Sequence, residues 1–434
     1  MGSDVRLPRE RTAIVGLVTG KANRLQSAAS LDELAGLVFA AGGIVVLRST
    51  QERPRPDPAT FIGAGKVEQL ARACDEIDVE LVVFDHELSP TQLRQLEAGI
   101  GRRVIDRTQL ILDIFAKRAR TREGKSQVEL AQLRYLLPRL VGAGIEMSRL
   151  GGGIGTRGPG ETKLESDRRR IRHRIATIAA SIEEIRQRRA RLHDRRHKSA
   201  VPIVALVGYT NAGKTTLFNL LTGGDAEASN ALFVTLDPLV RRVRLPDRRE
   251  LLVSDTVGFI DRLPHTLVAA FRSTLEEVRA ADLLLHVIDA AAPDRDRRMA
   301  AVCAVLEEVG AADLPRIDVY NKADMLEPGE REHLVHLSPQ SVVVSALMGQ
   351  GREAVIEALG AALGLDTAVV TLKFDARSDR GQRGIAWVYR HAKVLTHETR
   401  GSRSIIEACV PRRALATLRE AALETRIAGT AVIS

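Results

Sequence analysis

Two runs of consecutive apolar residues, AIVGLV at 13–18 and GIVVLRS at 43–49, bracket a segment of different rhythm. In that segment, SLDELAGLVFAAG at 30–42, apolar residues return every three or four positions. An unbroken apolar run predicts a strand buried on both faces, and the 3.6-residue period predicts an amphipathic helix packed over it. The alternation continues through GKVEQLARACDEI at 65–77 (helix), VELVVFD at 79–85 (strand), SPTQLRQLEAG at 89–99 (helix) and GRRVID at 101–106 (strand). Ser89 stands as an N-cap, with Pro90 at the first helical position. Residues 1–105 therefore predict a small parallel α/β domain. Within it, Gly63-Ala64-Gly65-Lys66 resembles the tail of a phosphate loop, but Val67 stands where Ser or Thr is required. A glycine at a helix start is the better reading.

Between 106 and 200 the pattern changes: glycine and proline vanish from long stretches and charge rises. Leu130, Leu133, Leu137 and Leu140 form one apolar seam. Ile171, Ile175, Ile178, Ile182, Ile185 and Leu192 form a second, interrupted at Arg189. Two such seams joined by a loop predict an antiparallel helical hairpin, with Pro138 kinking its first helix near the end. The joining loop, MSRLGGGIGTRGPGETKLE at 147–165, contains G-x-G-x-x-G at 153–158. A dinucleotide-binding turn needs a strand before it, and this loop has helices on both sides. It reads instead as an exposed tip whose glycines let the backbone lie close against another molecule.

From 201 the α/β pattern returns, with strands predicted at PIVALVG (202–208), LLVSD (251–255), DLLLHVID (282–289), RIDVY (316–320) and SVVVS (341–345). This third domain is expected over 201–366. In the remaining 367–434, GIAWVYRHAKVL and RSIIEACV read as a hairpin followed by a helix that Pro411 starts, a small α+β domain.

Charge adds a partner class. The chain of 434 residues carries 64 Lys and Arg against 55 Asp and Glu, a net +9 that suits nucleic acid or an anionic membrane surface. The excess concentrates on the second hairpin helix, where Arg168, Arg169, Arg170, Arg172 and Arg174 lie beside the glycine loop. Few acids balance them, so we expect RNA contact there, with Arg149, Gly153, Arg157, Arg168, Arg169 and Arg172 as candidates. A helix seam occupied by its partner helix argues against membrane insertion. The three cysteines are too scattered for a disulfide framework, and neither a signal region nor a membrane-length apolar run is apparent. A cytoplasmic protein, in part peripheral to the membrane, and a monomer are expected.

The chemistry lies in 201–366. Gly208-Tyr209-Thr210-Asn211-Ala212-Gly213-Lys214-Thr215 satisfies G-x-x-x-x-G-K-[ST] between a strand and a helix. Backbone N–H groups from Asn211 to Thr216 can wrap phosphates, Lys214 can neutralise them, and the Thr215 hydroxyl can ligate Mg²⁺. Asp255-Thr256-Val257-Gly258 places Asp255 to hold Mg²⁺ through water and the Gly258 N–H to meet a γ-phosphate. Asn321-Lys322-Ala323-Asp324 offers a carboxylate that accepts from both guanine N1–H and the 2-amino group. In Val344-Ser345-Ala346 a backbone N–H can reach guanine O6. Phe233-Val234-Thr235-Leu236-Asp237 supplies a switch threonine, Thr235, expected on Mg²⁺ and the γ-phosphate. The order and spacing are those of guanine-nucleotide-binding proteins, so GTP and GDP are the expected ligands. Lys214, Thr235 and Gly258 are the candidate catalytic groups. Phe259 stands where Ras-type enzymes carry a water-orienting glutamine, so slow intrinsic hydrolysis is expected. Asn211 is a candidate K⁺ ligand, with simple turn stabilisation as the other open reading.

Most of the chain resembles the HflX family of ribosome-associated GTPases. The resemblance rests on RPDPATFIGAGKVEQL, VVFDHELSPTQLRQLE, VIDRTQLILDIFAKRARTREGKSQVELAQLRYLLPRL and SRLGGGIGTRGPGETKLE, followed by GYTNAGKTTLFN, LDP, DTVGFI and NKAD in order. The last seventy or so residues resemble it only loosely. What the resemblance implies is binding to the 50S subunit and the 70S ribosome in the GTP state, splitting of stalled or idle ribosomes under stress, and hydrolysis stimulated by the subunit. It also implies that the glycine-rich tip approaches rRNA near the peptidyl-transferase region. Assembly of the large subunit is the alternative role. An ATPase activity is attributed to the family's N-terminal part, and no phosphate loop is present there to support it.

Overall fold

The computed structural model describes residues 9–20, 24–140, 159–198, 201–226, 232–245, 250–261, 272–337, 341–364, 367–411 and 414–427. Arg149, Gly153 and Arg157, with the glycine-rich stretch 147–158, lie outside these residues, and 159–165, expected as part of the same loop, are helical. The chain forms two compact units, the first made of 1–184, 229–236 and 262–271, the second of the remainder.

The first unit holds β1 (Arg11–Val18), α1 (Arg24–Ala41), β2 (Ile44–Glu52), α2 (Ala64–Glu76), β3 (Leu81–Phe84), α3 (Pro90–Ile100), β4 (Arg103–Asp106), α4 (Arg107–Arg118) and α5 (Arg122–Arg139). The 40-residue helix α6 (Pro159–Lys198) begins in it. The strands form one parallel sheet, ordered β2-β1-β3-β4. Every residue of β1 from Thr12 to Val18 is buried, which is what its unbroken apolar run requires. Val67, Leu70 and Cys74 of α2 meet Leu96 and Ile100 of α3 over Val82 and Phe84. Ser89 and Gln92 close a capping box ahead of Pro90, and Gly101 ends α3 in the left-handed region at φ 71°.

Asp106 is the hinge between sheet and helices. Wholly buried, it accepts from Gln109 N–H at 2.9 Å, so capping α4, and from Leu88 N–H and Arg139 Nη2 at 3.1 Å each. A carboxylate saturated by three donors is stable in the interior, and here it ties the end of α5 to the end of β4. Pro138 lies inside α5, next to its last residue. Arg174 of α6 makes a two-pronged pair with Glu129 of α5, at 2.7 and 3.0 Å.

The second unit contains β5 (Ile203–Val207), α7 (Lys214–Thr222), β6 (Leu239–Arg244), β7 (Glu250–Asp255), α8 (Arg272–Arg279), β8 (Leu283–Asp289), α9 (Arg295–Glu308), β9 (Arg316–Asn321), α10 (Pro328–Leu337), β10 (Val342–Val343) and α11 (Arg352–Gly364). Its sheet runs β10-β9-β8-β5-β7-β6, parallel except for the β6 edge. Strand β6, LVRRVR, went unread in the sequence because an edge strand buries little, here Val243 alone.

The unit ends with β11 (Thr367–Asp375), α12 (Asp379–His391), β12 (Lys393–Arg400), β13 (Arg403–Pro411), α13 (Leu415–Ala421) and β14 (Glu424–Ile427), an antiparallel sheet ordered β12-β13-β11-β14. This βαββαβ arrangement corrects the expected hairpin. GIAWVYRH belongs to helix α12, capped by Ser378, and the hairpin partner of RSIIEACV is KVLTHETR. Pro411 closes β13, and α13 begins at Leu415. Among the described residues no helix is long and apolar enough to cross a membrane.

Candidate nucleotide site

The carboxyl ends of β5, β7, β9 and β10 are where an open parallel sheet places ligands, and the predicted motifs gather there. The loop from β5 to α7 demands its glycines. Gly208 has φ 152°, and a Cβ there would stand 2.2 Å from the Val287 carbonyl oxygen. Gly213, at φ 91°, would drive a Cβ to 2.1 Å from Asn321 Nδ2. That amide is the staple of the site: Nδ2 donates to the Ala212 carbonyl and Oδ1 accepts from Ala346 N–H, both at 2.9 Å. One buried side chain therefore ties the phosphate loop to the Val344–Ala346 loop. Asn211 takes φ 58°, a conformation asparagine tolerates.

Lys214 is buried at the start of α7, its ammonium donating to the carbonyls of Gly208 at 3.1 Å and Tyr209 at 2.8 Å. Burial brings its pKa down to about 8, against the opposing pull of Asp255. Thr215 Oγ1 donates to Asp255 Oδ2 at 2.8 Å, and Thr256 Oγ1 to the Leu206 carbonyl at 2.6 Å. At the other end, Ser345 Oγ donates to Asp324, and Lys322 Nζ pairs with Asp289 at 2.7 Å.

Phe259 is 2% exposed and lies alongside the phosphate loop in a parallel bridge to Tyr209. Its N–H donates to the Gly208 carbonyl at 3.1 Å, and its carbonyl accepts from Thr210 N–H at 2.7 Å. The neighbouring Gly258 has no room for a side chain, since a Cβ would lie 2.9 Å from Lys214 Nζ and from Thr210 Cα.

The structure thus brings Gly208 to Thr216, Asp255 to Gly258, Asn321 to Asp324 and Val344 to Ala346 into one site. Phe233, Val234, Thr235 and Leu236 belong to the first unit, where buried Phe233, at φ 58°, meets the Phe115 ring edge-on at 4.6 Å. Of the basic helix residues, Arg169 is exposed while Arg168 and Arg172 pair with Glu165 at 3.4 and 3.5 Å. Sequence reasoning missed the Asn321 staple and the bridge through Phe259, neither of which has a local signature.

A β-strand, glycine-rich loop and helix carrying Lys and Thr, with an Asp at the next strand end and an N-K-x-D loop, define a P-loop GTPase. Three family models match the chain: the GTP-binding GTPase N-terminal model over 28–116, the GTP-binding GTPase middle region over 118–196, and the 50S ribosome-binding GTPase model over 203–322. The GTPase HflX of Caldanaerobacter subterraneus subsp. tengcongensis is 48% identical over 86% of this chain and 85% of its own length. That of Lacrimispora saccharolytica is 43% identical over 95% and 96%, and that of Escherichia coli K12 48% over 81% and 83%. The chain belongs to the GTPase HflX family. Its reaction is hydrolysis of GTP.

Proposed function

We propose that this GTPase binds the large ribosomal subunit and the 70S ribosome in its GTP state, splits stalled or idle ribosomes, and is released by hydrolysis that the ribosome triggers. The observation that carries the trigger is Phe259: a buried phenyl group, its backbone bonded on both sides to the phosphate loop, offers no group to orient an attacking water. Slow hydrolysis in isolation follows, with the rate set by a partner. The match of 203–322 to a 50S ribosome-binding GTPase model supports the choice of partner. The arginines of α6, where the chain's positive charge concentrates, suit rRNA phosphates.

In this reading the Gly208–Thr216 loop wraps the phosphates with backbone N–H groups, and Lys214 turns its ammonium from loop carbonyls to phosphate oxygen. The Gly258 N–H donates to the γ-phosphate, Asp324 reads guanine, and Ala346 N–H lies near O6. Thr235 reports the triphosphate. Thr215 and Asp255, oxygen donors 2.8 Å apart, fit a hard divalent cation, and we assign them to Mg²⁺. Bound there, Mg²⁺ would offset phosphate charge during transfer. Asn211 is assigned to K⁺ on the chemistry of its side-chain carbonyl. Sedimentation with purified 50S and 70S particles tests the proposal. Binding in a non-hydrolysable GTP analogue but not in GDP, with 70S falling apart into subunits, is expected. Equal recovery with both nucleotides would contradict it.

A further inference from the structure

The stretch that follows Asp255 leaves its strand and runs parallel to the phosphate loop, held by the two hydrogen bonds between Phe259 and its neighbours Gly208 and Thr210. Beyond Phe259 the grip continues through side chains. Asp261 N–H donates to the Tyr209 hydroxyl at 2.9 Å, so the second residue of the phosphate loop reaches across to the switch segment. The Asp261 carboxylate is paired with Arg297, which also holds Asp294. Arg298 pairs with the same Asp294 at 2.6 Å and lies over the Tyr209 ring, 5.2 Å from its centroid. Two adjacent arginines in the first turn of α9 therefore hold the two sides of one joint, Arg297 the switch segment and Arg298 the phosphate loop. The side-chain contacts of Arg297 and Arg298, to Asp261, Asp294 and the Tyr209 ring, use none of the backbone N–H groups assigned to the phosphates.

We propose that Arg297 and Arg298 are positioning residues for GTP hydrolysis, acting through Asp261 and Tyr209 to seat Gly258 against the phosphate loop at Thr210. This rests on the reading that the Gly258 N–H meets the γ-phosphate. Gly258 stands at the middle of the clamped segment, so close to the phosphate loop that a Cβ there would lie 2.9 Å from Thr210 Cα. A segment held there in advance does not have to be ordered when GTP binds, so the cost of ordering it is removed from binding and from the hydrolytic step. GDP has no γ-phosphate and makes no use of Gly258. The clamp therefore discriminates between the two nucleotides without touching either. The Arg297 and Asp261 side chains are only 31% and 26% exposed, so solvent screens the pair incompletely.

The test is a comparison of GDP and a non-hydrolysable GTP analogue, by fluorescence titration, in the full-length protein carrying Arg297→Ala, Asp261→Asn or both. GDP affinity should stay within about two-fold, while affinity for the analogue and the rate of hydrolysis each fall about three- to five-fold, the reach of one partly buried ion pair. The double variant should be no worse than either single one, and Arg297→Lys should recover part of the loss. Equal weakening of both nucleotides would make the pair merely structural, and unchanged analogue binding would show that it positions nothing; either overturns the proposal. Lys214→Ala separates this from failure of the site assignment. If that variant keeps both nucleotides, it is the phosphate-loop reading that is wrong.

Discussion

At the scale of single residues, the site depends on positions where no other side chain fits. Gly213 has both a left-handed backbone and the Asn321 amide where a Cβ would be. Gly213→Ala should strain the loop and break the Asn321 bonds to Ala212 and Ala346 together, lowering affinity for GTP and GDP alike by at least about ten-fold. Equilibrium titration checks it, and an effect on one nucleotide alone would argue against the staple. Phe259 gives the opposite kind of forecast. Phe259→Gln should not raise intrinsic hydrolysis, because the backbone bonds to the phosphate loop keep the side chain at 259 buried and away from an attacking water, and burying an amide there should cost about 1–3 kcal/mol of stability. Chemical denaturation and a single-turnover assay measure the two parts. Asp324→Asn should lose GTP by about 100-fold and gain xanthosine triphosphate, whose base presents a carbonyl where guanine presents the 2-amino group. The chemistry at these residues was legible because a phosphate loop is spelled by contiguous residues. The Asn321 staple joins residues 109 apart in sequence, and the Arg297 clamp joins residues 36 apart, so only the folded chain shows them.

At the scale of elements, buried parallel strands announced themselves as unbroken apolar runs, and the helices between them by their period. The miss at α12 has a physical cause. Its inward face is Gly381, Gly384 and Val388, and two glycines in such a face look like helix breakers in a sequence. They are there because β11 lies too close for anything larger: a Cβ at Gly381 would stand 2.0 Å from the Asp375 carbonyl, and one at Gly384 would meet the Phe374 ring at 2.5 Å. The remaining run, IAWVY, then has the β-branched and aromatic composition of a strand. Gly384→Val should therefore destabilise the β11–β14 sheet by more than about 2 kcal/mol through overpacking, yet leave nucleotide affinity within about two-fold. A thermal melt followed alongside GDP titration tests both halves, and a coupled loss of GDP binding would contradict the separation.

At the scale of the whole molecule, a GTPase of the HflX family carries a long basic helix and a net charge of +9. If the exposed face of α6 meets rRNA phosphates, Arg169→Ala should weaken 50S binding and lower the slope of log affinity against log salt by about 0.7–0.9, one counterion's worth. An unchanged slope would remove Arg169 from the interface. In the proposed cycle GTP hydrolysis waits for the ribosome, because Phe259 leaves the site without a water-orienting side chain. The measurement that tests it most directly is the GTP turnover rate of the full-length protein in KCl with and without saturating 50S subunits. A low basal rate, raised by at least about 10-fold when the subunit is added, is expected, the reach of a supplied transition-state group being larger still. The same rate in both tubes would contradict it.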